Sequence, residues 1–194
     1  MRNTILSIFI AFAINSYAQS LDCGIKGGAN FNIAEFNKEN SIDFYAGGFA
    51  EYHFNNKISL QPELIYNRIK YVNGYHTYKH DYISLPIGFN YKIIEKLKVN
   101  AGFQFSYLLK STTVLEASDW GPGFDPVVSG SELKFDTTDD YKNSYDVFLG
   151  ASYNFWNNFH FDVRYFYGLN NVSVTSLNKN MYLNILQIGL SYKF

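Results

Sequence analysis

The chain has 194 residues, of which 47% are hydrophobic and 19% aromatic, and its formal net charge is −1. Such a balanced charge gives no basic surface, so nucleic acid is not expected as a partner. Apolar runs of the roughly 18 residues that span a bilayer as a helix do not occur, which excludes a helical membrane protein. Abundant aromatic residues without long apolar runs are typical of a transmembrane β-barrel.

The first 18 residues have the pattern of a secretory signal peptide. Arg2 precedes an apolar stretch at 5–14, and small residues occupy positions 16 and 18, as signal peptidase requires. The apolar stretch is about half the roughly 20 residues that a helical anchor needs, which makes a retained anchor the less favoured alternative. We therefore expect a cleaved signal peptide at 1–18 and one domain at 19–194.

Eight segments of the remaining chain alternate with period two between apolar and polar residues. Strands with one apolar and one polar face are suited to stand between lipid and a polar lumen. The predicted fold class is all-β, an eight-stranded antiparallel up-and-down transmembrane β-barrel, whereas a soluble ligand-binding barrel is the competing fold. The predicted strands lie at 21–31, 42–54, 58–67, 83–91, 99–107, 145–155, 159–167 and 181–194.

The connections between these segments alternate in length. Short turns at Asn55, Glu95 and Asn157 are typical of periplasmic hairpins. Aromatic residues near the strand ends form two predicted girdles, one for each membrane interface. We expect a bacterial outer-membrane protein with both termini in the periplasm. Its long polar loops should lie outside the cell, at 32–41, 68–81, 111–143 and 170–180.

The last predicted strand presents an apolar, aromatic face that ends on Phe194. Such a strand resembles the signal read by the outer-membrane assembly machinery, and it would also contact outer-membrane lipid. The residues predicted to carry this signal are Ile188, Leu190, Tyr192 and Phe194.

Several sequence blocks resemble the PorT-like outer-membrane beta-barrel family. They include the segments 24–31, 46–51 and 82–87, and the Gln61-Pro62-Glu63-Leu64 block is the most specific. The resemblance spans nearly all of the chain after residue 18 and implies an eight-stranded outer-membrane barrel. It implies little about activity, because a shared fold does not carry a role across.

Charged residues at inward positions predict an ion network in the lumen. Counting from the turn at Asn55 places Glu51 diagonal to Glu63 on neighbouring strands. Lys26 and Arg164 are the expected counter-charges for both, because two buried carboxylates without cations would be costly. The favoured interpretation is a structural network that closes the lumen, and the alternative is a catalytic pair or a proton path.

Histidine and serine offer only weak signs of catalysis or metal binding. His76 and His80 are four residues apart beside Asp81, a spacing that binds zinc on a helix but has no fixed geometry in a loop. Ser84 and His80 are the nearest approach to a nucleophile and its base, and no third residue orients them. We therefore predict no enzyme activity, no metal site and no cofactor.

The loop at 111–143 is the most individual segment of the chain. It is strongly acidic, and its centre combines turn residues with the exposed aromatic candidates Trp120 and Phe124, next to Asp125. These three residues are predicted to contact an extracellular protein or a surface complex. The alternatives are a cap closing on the basic loop at 68–81 and a divalent-cation site, for which the ligand spacing of a calcium motif is missing.

The favoured function is a non-catalytic outer-membrane barrel with a filled lumen, which anchors extracellular loops for structural or partner-binding roles. The alternative is a narrow porin-like channel or an accessory component of a secretion complex. A lipid-modifying enzyme is a minor alternative.

Overall fold

The computed structural model describes residues 21–33, 41–73, 76–115, 133–174 and 181–194, so the predicted signal peptide lies outside the described residues. The described chain is almost entirely β-strand, with one short 3-10 helix at Thr138–Asp140. The strands are β1 Leu21–Asn32, β2 Ile42–His53, β3 Ile58–Asn73, β4 His76–Ile94, β5 Leu97–Leu115, β6 Leu133–Asp136, β7 Ser144–Trp156, β8 Phe159–Gly168 and β9 Ile185–Lys193.

Eight of these strands form a closed antiparallel barrel. Neighbours pair in the order β4-β3-β2-β1-β9-β8-β7-β5, and β4 pairs with β5 to close the ring. The first and last strands meet along a ladder that runs from Gly24 opposite Lys193 to Asn32 opposite Ile185. The short β6 pairs with residues 112–115 of β5, beyond the part of β5 that pairs with β7 in the ring. The predicted eight-stranded up-and-down barrel is therefore confirmed.

The outer face of the barrel is apolar and the inner face is largely polar. Outward side chains such as Phe103 and Leu149 are about two-thirds exposed, whereas the buried set contains many charged and amide side chains. This distribution is the reverse of a soluble barrel and fits lipid on the outside. No helix among the described residues is long and apolar enough to cross a membrane.

The two ends of the barrel differ, and we name them the turn end and the loop end. The turn end carries the tight turns at 54–57, 95–96 and 157–158. In the first of these turns the Asn55 Oδ1 atom accepts hydrogen bonds from the backbone N–H groups of Lys57 and Ile58 at 2.8 and 2.9 Å. In the third, Asn157 has a φ of 43°, a conformation that asparagine tolerates better than most residues.

Three strands extend further at the loop end than the sequence pattern predicted. Strand β3 runs to Asn73, β4 starts at His76 and β5 runs to Leu115. The prediction of loops at 68–81 and at the start of 111–143 is therefore wrong for 68–73, 76–81 and 111–115, which are strand. Most of their outward residues, such as Arg68, Lys70 and Thr112, are polar, which ends the lipid-facing pattern. The backbone pairing does not depend on that pattern, so the strands continue.

Charged outward residues show where the lipid-facing surface ends. The Arg68 Nε atom lies 2.7 Å from Asp81 Oδ1 on the outer wall, and Lys110 is exposed on the neighbouring strand. Charged side chains are costly against hydrocarbon, so the membrane boundary lies below them, near Tyr66 and Ile83. The strand segments beyond this level stand clear of the membrane-spanning part.

Candidate functional site

A three-residue ion cluster crosses the lumen near its middle. Arg164 contacts both Glu63 carboxylate oxygens, with Nη1 at 2.9 Å from Oε2 and Nη2 at 2.7 Å from Oε1. The Lys26 Nζ atom lies 3.3 Å from Oε1, and Gln61 donates a further bond of 2.7 Å to the same oxygen. Arg164 also lies over the Phe148 ring at 5.0 Å. These contacts join β1, β3 and β8 across the interior.

Glu51 belongs to a second ion cluster, closer to the turn end. Its carboxylate accepts bonds of 2.9 and 3.0 Å from Lys98, a contact from Lys193 and a bond of 3.0 Å from Asn90. Among the described contacts Arg164 reaches Glu63 but not Glu51, so the expectation that Arg164 serves both carboxylates is corrected. Lys98 and Lys193 both occupy inward positions of their strands. The alternation of apolar and polar residues already places them inward, so their membership of an ion cluster in the lumen could have been predicted.

The turn end also carries a group of possible metal ligands. The ligand atoms of Asp22, Glu51 and His53 all lie within 4.8 Å of one another. However, Lys193 lies 3.0 Å from Asp22 and also contacts Glu51, and His53 itself lies 2.9 Å from Asp22. Because ammonium groups already neutralise these carboxylates, the arrangement is that of an ion cluster rather than a metal centre.

Amide and hydroxyl side chains fill the next level toward the loop end. Gln187 donates to Asn30 at 2.9 Å and to Asn67 at 3.1 Å, and Asn67 donates to Ser84 at 2.8 Å. Ser84 and Ser106 are also bonded at 2.8 Å. Since an eight-stranded barrel has room inside for little more than its side chains, this network occupies the section of lumen that it crosses.

An apolar core fills the lumen toward the loop end, from Phe148 beside Arg164 to Tyr71 and Tyr141 beyond the membrane boundary. Sequence reasoning missed this core because it assigned several of its residues to polar loops. Its aromatic part is held by a 3.0 Å hydrogen bond between the Tyr71 and Tyr141 hydroxyls and by stacking of Tyr71 on Tyr78. The buried members are Ile69, Tyr71, Tyr82, Leu108, Tyr141, Phe148, Phe166, Val172, Met181, Leu183 and Ile185.

His80 lies within this core, outside the membrane-spanning part of β4. Its ring is fully buried, 4.4 Å from the Tyr141 ring and 5.6 Å from the Tyr71 ring, and neither nitrogen has a hydrogen-bond partner among the described residues. Asp81 points to the opposite, outer face, so this strand does not combine the two as metal ligands. Ser84 bonds to Asn67 rather than to His80, and no nucleophile–base pair forms.

Burial lowers the pKa of His80 to about 3, against which the nearby Asp81 carboxylate acts only weakly. The imidazole is therefore neutral when folded but takes up a proton when unfolded below about pH 6.5. The free energy of unfolding should fall as the pH drops from about 6.5 toward 3, by at most about 1.4 kcal/mol per pH unit from this group. The other titratable groups against the ring are Tyr71, Tyr82 and Tyr141, which stay neutral in this range.

Urea unfolding of the wild type and of His80→Phe between pH 8 and pH 4 tests this expectation. The phenylalanine keeps an aromatic ring in the core and does not titrate. We expect the difference in unfolding free energy to be constant above pH 7 and to move in favour of His80→Phe below pH 6.5. Parallel pH profiles for the two proteins would contradict the proposed burial of a neutral His80.

The remaining predicted site residues lie at the surface or outside the described residues. Trp120, Phe124 and Asp125, the candidate partner contacts, lie outside the described residues. In the last strand Leu190 and Phe194 are exposed on the outer wall, and the Phe194 N–H donates to the Cys23 carbonyl at 2.9 Å. Ile188 and Tyr192 share this face by register. The role of this face in assembly stays a prediction.

A closed barrel with an apolar outside and a polar inside points to the outer membrane, and sequence comparison agrees. The profile of the outer membrane protein beta-barrel domain matches residues 17–174. The chain belongs to this family. The predicted location in the bacterial outer membrane is thereby confirmed, whereas the match does not distinguish PorT-like barrels within the family. No curated protein sequence is a match.

Several solved structures of small outer-membrane barrels are similar to this chain. Neisserial surface protein A has a TM-score of 0.52 and 18% identity, over 90% of this chain and 97% of that one. Ail of Yersinia pestis in nanodiscs has a TM-score of 0.48 and 17% identity, over 89% of this chain and 99% of that one. The N-terminal barrel of Pseudomonas aeruginosa OprF has a TM-score of 0.45 and 11% identity, over 89% of this chain and 97% of that one. At 18% identity, the similarity to Neisserial surface protein A shows a shared fold and says nothing of activity.

Proposed function

We propose that the protein is a non-catalytic anchor, a plugged barrel that holds its loop-end segments at the cell surface for contact with partners. The observation that carries this proposal is the filling of the lumen at successive levels. The two ion clusters are followed by the amide network around Asn67, and the apolar core around Tyr141 lies above them. A lumen occupied in this way offers no continuous aqueous path.

The proposed orientation puts the turn end in the periplasm and the loop end outside the cell. Three tight turns on one side and three longer connections on the other, between β1 and β2, β5 and β6, and β8 and β9, support it, since outer-membrane barrels have short periplasmic turns. Within the family we place the chain among PorT-like barrels on its sequence blocks alone. That placement assigns no activity.

The geometry of the loop end supports a role in presenting the acidic segment at 116–132. Strand β5 continues beyond Lys110, and β6 returns along it, with Leu115 opposite Leu133 and Thr112 opposite Asp136. The two ends of the acidic segment are therefore fixed next to each other by a sheet that stands beyond the membrane boundary. A partner that binds this segment would meet it at the end of the paired strands β5 and β6.

The pairing of Leu115 with Leu133 also permits a clean test, because a tight turn can connect adjacent antiparallel strands. Replacing 117–131 by a short Asn-Gly turn should leave the barrel folded. The folded barrel and the boiled, unfolded chain should then still differ in mobility on gels, as they do for the wild type. The same replacement should remove the proteins that copurify with the full-length chain from native outer membranes.

The matched control is a chain in which 35–39 is replaced by a turn of the same kind, and it should keep those partners. Unchanged copurification after replacement of 117–131 would contradict the proposed role of the acidic segment. Loss of folding would show instead that this segment is part of the barrel structure. Steady ion conductance by the wild type would favour the alternative of a narrow channel.

A further inference from the structure

Three buried polar atoms near the middle ion cluster have no hydrogen-bond partner among the described residues. They are Asn100 Oδ1, Asp162 Oδ2 and Arg164 Nε, and each of the three residues is less than 5% exposed. Buried polar groups in folded proteins nearly always have a partner, either in the protein or in an ordered water. Three such atoms in one region therefore need a common explanation.

Strand register brings the three side chains together around Gly150. Asn100 and Arg164 lie on either side of Gly150 in one row across β5, β7 and β8. Asp162 lies on the same face of β8, two residues before Arg164. A Cβ atom at Gly150 would lie 2.8 Å from Asn100 Oδ1 and 2.6 Å from Arg164 Cγ, so the absence of a side chain there lets Asn100 and Arg164 pack closely over Gly150.

A cavity of about 10 Å³ is lined by all three residues. That volume accommodates the centre of a single water molecule. We propose that it binds one structural water, which donates hydrogen bonds to Asn100 Oδ1 and Asp162 Oδ2 and accepts one from Arg164 Nε. Three bonds are the usual number for a buried water, and this donor and acceptor set matches a water molecule atom for atom.

Ions fit the same three atoms poorly. A metal cation could take the two oxygens, but it would face the Arg164 N–H, and the basic residues Lys98 and Lys193 also line the cavity. A halide could accept from Arg164, but it would face two acceptor oxygens, one of them on the charged Asp162. Only a ligand that both donates and accepts satisfies all three atoms.

The test is a crystal structure of the detergent-solubilised barrel at a resolution that shows ordered waters, grown with bromide in place of chloride. We expect one peak without anomalous signal, within about 2.6–3.2 Å of all three atoms. An anomalous peak would identify an anion, and a peak at about 2.4 Å from the oxygens alone would identify a cation. Either of these results, or no peak at all, would overturn the proposal.

Asn100→Leu provides a matched variant, because leucine has nearly the shape of asparagine and no acceptor atom. The peak should disappear from its structure or lose most of its occupancy. A peak retained at full height would show that Asn100 is not a ligand of the water. If this variant does not fold, the wild-type structure decides the question alone.

Discussion

Arg164→Ala should lower the free energy of unfolding of the barrel by about 3–5 kcal/mol, the usual cost of breaking a buried ion pair by removing one partner. The variant leaves the Glu63 carboxylate with Lys26 as its only cation among the described contacts, and it removes two short bonds across the lumen. Urea unfolding in detergent, followed by the heat-dependent shift on gels, measures the change.

Two further variants separate a lost ion pair from a general loss of packing. Adding Glu63→Gln to Arg164→Ala should recover part of the stability, because the uncompensated carboxylate is gone while Lys26 still lacks its partner. Arg68→Ala is the matched control: it breaks the partly exposed pair with Asp81, which should cost at most about 1 kcal/mol. Equal losses for Arg164→Ala and Arg68→Ala would mean that the lumen is as well solvated as the outer surface.

Gly28→Ala should destabilise the barrel by about 3 kcal/mol, the upper end of the usual cost of overpacking, through a steric conflict at the seam between its first and last strands. A Cβ atom at Gly28 would overlap the Ile188 carbonyl oxygen and the Gly189 Cα atom, both backbone atoms that cannot turn aside. Gly28 and Gly189 lie directly opposite each other in the ladder that closes the barrel. The measurement is the yield of folded barrel and its urea midpoint.

Gly48→Ala is the control for this prediction, since it makes the same substitution on the neighbouring β2 strand. A Cβ atom there meets only the Gly24 carbonyl oxygen, at 3.5 Å, an ordinary contact. We expect wild-type yield and stability for Gly48→Ala. Similar losses for the two variants would indicate a general intolerance of side chains at glycine positions rather than a close approach at the seam.

The membrane-spanning part of the fold could be predicted from sequence because a single physical rule governs it. Between lipid and a polar lumen, side chains must alternate, so residues such as Phe103 and Gln104 show their faces directly. Beyond the boundary marked by Arg68 and Asp81 this rule ends, since either face can be polar there. Strand pairing continues through Tyr71 and Tyr78. The alternation of apolar and polar residues stops before them, so these parts of the strands could not be predicted from it.

The partners of inward charges were harder to predict than their direction. Lys26, Glu63 and Arg164 are predicted members of the network and do meet, although they are far apart in sequence. Glu51 finds Lys98 and Lys193 instead, because long side chains cross a tilted, sheared lumen and meet strands that are not adjacent. Which ammonium group reaches which carboxylate depends on that three-dimensional offset, and a count along neighbouring strands cannot supply it.

A plugged lumen should not conduct ions, which planar-bilayer recording on the purified, folded wild-type protein measures. We expect no ion conductance above that of the bare bilayer, because ion clusters, amide side chains and an apolar core occupy successive levels of the interior. Discrete, sustained conductance steps from the folded wild type would contradict it, and would show that the barrel is a channel.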